Sequence, residues 1–106
     1  MGGGVQHGTL VLVPIHLGLI TADWSIEHKI GVKHSCTLDE VREALQWPAR
    51  AQAAWEEHEV HGRRLVAVGA TGSGRRLVAW LLPTPDWDDD SGEWRVKSAR
   101  WVDPAR

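Results

Sequence analysis

The sequence predicts an α+β fold: a single domain of order β-α-α-β-β-β-β, with two short helices packed on one face of an antiparallel sheet. Three observations predict it. Apolar residues recur at helical spacing between residues 23 and 48, then switch to alternation from residue 50 onward. The alternating runs are joined by short connections, which antiparallel neighbours allow and parallel ones do not. Finally, 106 residues with 42% hydrophobic content suit one core, and neither a repeat nor a second domain is visible.

The elements follow in order. A glycine-rich stretch over residues 1–8, "MGGGVQHG", reads as a flexible tail, and "TLVLVPIHLGLI" (9–20) as the first strand. Asp23 is placed to cap a short helix through Ile26, Ile30 and Val32, with "KHSC" (33–36) as the break. Thr37 and Glu40 have the spacing of a capping box, and Leu38, Val41, Ala44 and Leu45 form one face of the second helix, which Pro48 ends. "AQAAWEEHEV" and "RRLVAVGAT" are then strands joined near His61 and Gly62. "GSG" (72–74) turns the chain into "RRLVAWLLP", and "PDWDDDSG" leads to the closing strand "GEWRVKSAR" (92–100).

Composition narrows function by exclusion. The net charge is −2, so a nucleic-acid site has to be a local patch rather than a global field. Seven tryptophans supply all the aromatic residues. The single cysteine, Cys36, rules out an internal disulfide and fits a reducing compartment, with the cytoplasm as default. The apolar run at 9–20 is too short to cross a bilayer as a helix, and no positive charge precedes it as a secretion signal requires.

Motif matches are mostly negative. "GATGSGRR" (69–76) carries Arg75 and Arg76 where a phosphate loop needs Lys and Ser or Thr, and a strand follows it instead of a helix. His28, His34 and Cys36 lack the ligand number and spacing of a closed zinc site, so no metal and no cofactor is expected. The acidic clusters "EEHE" and "DWDDD" read as solvated segments.

The basic residues are more informative because of where the meander puts them. Lys29, Lys33 and His34 end the first helix, while Arg63, Arg64, Arg75, Arg76, Arg95, Lys97 and Arg100 fall on successive strands. Some of these arginines can pair with Glu56, Glu57 and Glu59 across the sheet. Arg100 poses a sharper question. By strict alternation Trp94, Val96, Ser98 and Arg100 share a face, which puts Arg100 at the end of an apolar stripe. There it is either a functional cation at the rim or a partner for Glu27, Glu40 or Glu43 on the helices.

"IEHKIGVKHSCTLDEVREAL", "GRRLVAVGATGSGRRLVAW" and "WRVKSAR" resemble, in this order, the helix–Lys-His–helix opening, central hairpin and Ser-Ala-Arg closing strand of BrnT-like toxins. The likeness spans residues 24–100 and departs at Ser35, where the family carries glycine. It implies a RelE-like ribonuclease fold and the toxin of a type II toxin–antitoxin pair, whose partner is a DNA-binding antitoxin encoded next door. By match to the motifs, Lys33, His34, Arg76 and Arg100 carry over; Arg64 and His28 are added from topology, and Lys97 from its place on the closing strand.

Metal-independent RNA cleavage needs proton transfer at the 2′-hydroxyl and the 5′-oxygen, together with stabilisation of extra charge on the phosphate. Histidine suits the first task, since its side chain titrates near neutral pH, and arginine suits the second through its rigid fork of donors. The expected roles are therefore His34 as general acid or base, with Arg76 and Arg100 on the scissile phosphate. Lys33, Arg64, His28 and Lys97 bind RNA. The competing expectation is a non-catalytic module that binds another protein through its tryptophan-bearing sheet.

Overall fold

The chain folds as two helices against a six-stranded sheet in a computed structural model that describes residues 11–46, 49–60, 62–83 and 93–102. The tail expected at 1–8 and the acidic loop "DWDDD" lie outside the described residues. The elements run β1 (Val13–Ile15), β2 (Ile20–Thr21), α1 (Trp24–His34), α2 (Leu38–Leu45), β3 (Ala51–His58), β4 (Gly62–Ala70), β5 (Arg76–Pro83) and β6 (Trp94–Trp101). The sheet order is β1-β3-β4-β5-β6-β2, so the last four strands form the expected antiparallel meander. The N-terminal segment departs from expectation. Instead of one strand it forms two short ones on opposite edges, β1 antiparallel to β3 and β2 parallel to β6. A residue pair as short as β2 carries no alternation to read.

Both helices start where their caps stand. Thr37 accepts from the Glu40 amide while the Glu40 carboxylate accepts from the Thr37 amide, completing the capping box. Asp23 occupies the N-cap of α1 without a side-chain bond. The α1 helix runs two residues further than expected, taking in Lys33 and His34, and closes on Ser35 in the left-handed conformation at φ 53°. That conformation suits glycine and puts the β-carbon of any other residue in a crowded position.

The main hydrophobic core cluster lies on one sheet face. Leu38, Val41, Ala44 and Leu45 of α2 and Ile30 of α1 pack there against Ala53, Leu65, Ala67, Leu77, Ala79, Leu81, Val96 and Ala99. Where α2 crosses β4 the sheet carries Gly69, since a β-carbon there would fall 2.1 Å from the Ala44 carbonyl oxygen. Val32, expected on the buried side of α1, is exposed.

The closing strand contains the feature that decides where its charges go. Trp80 pairs with Ser98 but Leu81 pairs with Val96, so Lys97 is an extra residue in a β-bulge. A one-residue insertion reverses the alternation. Trp94 and Val96 face the helices before the bulge, Ala99 and Trp101 after it, and Arg100 therefore turns to the opposite face. The end of the apolar stripe is Trp101, not Arg100.

Candidate nucleic-acid interface

The opposite face of the sheet is built from the alternate residues of the same strands. Arg64 and Val66 of β4, Arg76, Val78, Trp80 and Leu82 of β5, and Ser98 and Arg100 of β6 project from it. The α1 helix runs beside β6, and Trp101 fixes the end of that helix by donating its indole N–H to the Ser35 carbonyl at 3.1 Å. The guanidinium of Arg75 lies 3.9 Å from the centre of the Trp101 ring and covers it.

Between α1 and the open face lies a cleft of about 560 Å³. Its apolar lining comes from Ile26, Ile30 and Leu82. Its rim is cationic: Lys29, Lys33 and His34 come from α1, Arg64 from β4, and Lys97 from the bulge, with Ser98 beside it. The bulge thus presents two consecutive side chains to the same cleft, which a regular strand does not do. Among the described residues, Lys29, Lys33 and Lys97 have no ion-pair partner. Arg64 is the exception, held at 2.6 Å by Glu56, its direct neighbour on β3. Its Nε is buried without a hydrogen-bond partner, an arrangement that costs on the order of 1–3 kcal/mol when left uncompensated.

Of the residues singled out from sequence, four meet in this cleft: Lys33, His34, Arg64 and Lys97. Three do not line it. His28 is exposed and stacks on Trp24 one turn earlier, with ring centres 5.4 Å apart. Arg76 begins β5 opposite Ala70, six residues and therefore about 20 Å along the strand from Leu82. Arg100 is exposed beside the cleft, its guanidinium 5.5 Å from the Trp80 ring, and none of Glu27, Glu40 and Glu43 pairs with it. Glu40 is engaged in the capping box, and the Glu43 carboxylate accepts from the Gly72 amide. The cross-sheet pairing expected for other arginines is present as Arg64 with Glu56 and Arg63 with Glu57.

Lys29, Ser98 and Trp80 also belong to this region: Lys29 was noted among the basic residues ending the first helix, Ser98 was expected beside Arg100 on the apolar stripe, and Trp80 was not singled out. Lys29 had a legible signal, because Ile26, Lys29, Ile30 and Lys33 repeat at i, i+3, i+4 and i+7 along one helix flank. Ser98 had none, since the bulge that turns it is invisible in the pattern. No known protein family, curated protein or solved structure matches the chain. No described helix is long and apolar enough to cross a membrane.

Proposed function

We propose that the cleft between α1 and the open sheet face binds single-stranded RNA and cleaves it without a metal ion, as the toxin of a type II toxin–antitoxin pair. The observation that carries this reading is the convergence of Lys33, His34, Arg64 and Lys97 from three separate elements on one cleft. A ring of cations around one imidazole matches what transphosphorylation requires. The 2′-oxygen attacks phosphorus as its proton leaves, the bond from phosphorus to the 5′-oxygen breaks, and that oxygen gains a proton. The products are a 2′,3′-cyclic phosphate and a 5′-hydroxyl. His34 serves one of the two proton transfers. Lys33, Lys97 and Arg64 hold the phosphate, whose charge rises in the transition state. Arg100 supports an adjacent phosphate from the open face, and Arg76, at the far end of β5, engages RNA only outside the cleft.

The resemblance of the Lys-His, hairpin and Ser-Ala-Arg segments to BrnT-like toxins supports the same reading and supplies the partner, a DNA-binding antitoxin that covers the active surface in the cytoplasm. The test is cleavage of RNA in EDTA, scored by end-group analysis, together with growth on expression of the protein alone and with the adjacent reading frame. Wild type should leave cyclic phosphate ends and arrest growth, and His34→Ala should lower the cleavage rate by about 10²-fold or more. Full dependence on Mg²⁺, or undiminished cleavage by His34→Ala, would contradict the mechanism.

A second reading, a non-catalytic protein-binding module, draws on a different place. Val11, Val13 and Trp55 are exposed around an apolar groove of about 330 Å³ beside the edge strand β1. Growth arrest that persists in His34→Ala but disappears in Trp55→Ser would favour it.

A further inference from the structure

Trp80 sits at the centre of the open face, and its surroundings are unlike those of an ordinary surface tryptophan. It is half-buried, and its cross-strand neighbours are Val66 on one side and Ser98 on the other. The guanidinium of Arg64 lies 5.9 Å from the ring centre and that of Arg100 lies 5.5 Å from it. Two guanidinium groups therefore lie over one aromatic ring, neither as close as Arg75 is to Trp101, with Glu56 on Arg64 as the only carboxylate paired with either among the described residues. Ser98, the cross-strand neighbour of Trp80, and Arg64 also line the cleft.

We infer that Trp80 is a nucleobase-stacking subsite, on which one base of a single-stranded RNA lies while Arg64 and Arg100 contact the phosphates to either side of it. The inference rests on the RNA-binding reading of the cleft and adds to it the residue that grips a base. Every nucleobase has a flat aromatic face, and stacking on tryptophan needs no sequence-specific hydrogen bond, so the grip is tolerant of sequence. A cationic flank alone would recognise any polyanion; a ring between two cations recognises a chain in which anions alternate with flat rings. Val66, which is buried, and Val78, which is half-buried, stand beside Trp80 and keep its surroundings on the open face apolar. The same contact orients the chain, because a base seated on Trp80 leaves the neighbouring phosphate at the mouth of the cleft, towards Ser98 and Lys97.

The test uses two hexamers of equal charge, a 2′-O-methyl oligoadenylate that cannot be cleaved and its abasic counterpart, each titrated by fluorescence anisotropy at low salt. Wild type should bind the oligoadenylate about 10-fold more tightly than the abasic chain, within the range that base–aromatic stacking gives. Trp80→Leu should erase that preference while still binding the abasic chain as wild type does. Trp80→Phe, which keeps a smaller ring, should retain part of the preference and stands in if the leucine variant does not fold. Equal binding of both chains by wild type, or an undiminished preference in the Trp80 variants, overturns the stacking subsite and leaves the cationic cleft intact. Failure of wild type to bind either chain overturns both the subsite and the RNA reading.

Discussion

The two faces of the sheet are made from the same strands, residue by residue in alternation, yet they differ in kind. The helix-covered face is Ala53, Leu65, Ala67, Gly69, Leu77, Ala79, Leu81 and Val96, small where α2 presses closest and branched elsewhere. The open face is Arg64, Val66, Arg76, Val78, Trp80, Ser98 and Arg100. The first buries nearly everything it carries. The second keeps guanidinium groups over a tryptophan and beside a cleft whose rim has more cations than carboxylates to pair with them. Stability thus resides on one face and the candidate chemistry on the other, and a single inserted residue, Lys97, keeps β6 consistent with both.

Adding a residue to β6 beyond the bulge is the severest way to break the division. With one alanine inserted between Ser98 and Ala99, whichever half of β6 keeps its pairing, the other half turns over. If the half beginning at Trp94 holds, Arg100 enters the apolar face without a partner, at a cost of about 3–5 kcal/mol, while Ala99 and Trp101 leave it. That is a large part of an ordinary domain's stability, so the insertion variant should lose cooperative folding in a urea titration followed by circular dichroism. Deleting Lys97 instead closes the bulge into a regular strand that keeps every side chain on its present face, and that variant should still fold cooperatively. A midpoint close to wild type for the insertion would mean that β6 does not depend on its register.

A milder probe of the covered face is its thiol. Burial, reinforced by the carboxylate of Glu40, raises Cys36 from its usual value near 9 to about 11. The unfolded chain therefore gives up this proton first. The neutral thiol's contribution is fully present below pH 9 and is lost as pH rises through 11, amounting to no more than about 3 kcal/mol. Urea midpoints measured between pH 8 and 11 should fall more steeply for wild type than for Cys36→Ala. Parallel curves would contradict the assignment.

The smallest stability effect belongs to the open face. Arg100 is exposed and has no carboxylate partner among the described residues, so Arg100→Ala should move the urea midpoint by an amount equivalent to about 0.5 kcal/mol or less. Its RNA affinity should nevertheless drop, with Arg100→Lys intermediate because the point charge remains and the fork is lost. A destabilisation of several kcal/mol would return Arg100 to the structural role that strict alternation suggested.

The contrast between faces also explains what could be read from sequence. Thr37 and Glu40, the buried stripe of α2, and the order of the last four strands were legible because each follows from local spacing and short connections. The separation of β1 from β2 was not, since it depends on which edges of a finished sheet remain unpaired. Within the site, Lys33 and His34 were legible from the helix end and Arg64 from the meander. Arg100 was seen as important but placed on the wrong face, because one extra residue in "RVKSAR" leaves hydrophobic residues on both sides of the shift and so no break in the pattern. Arg76 shares the open face but not the cleft: alternation fixes the side of a sheet and says nothing of position along the strand.

The central claim, that the open face and its cleft are the RNA surface while the covered face only supports them, is tested most directly by amide chemical shifts of the labelled protein titrated with an uncleavable 2′-O-methyl RNA hexamer. The account predicts shifts concentrated at Lys29, Lys33, His34, Arg64, Trp80, Lys97, Ser98 and Arg100, with Leu38–Leu45 of α2 unmoved. Shifts centred instead on α2 or on the groove around Val13 and Trp55, or no shifts at low salt, would contradict it.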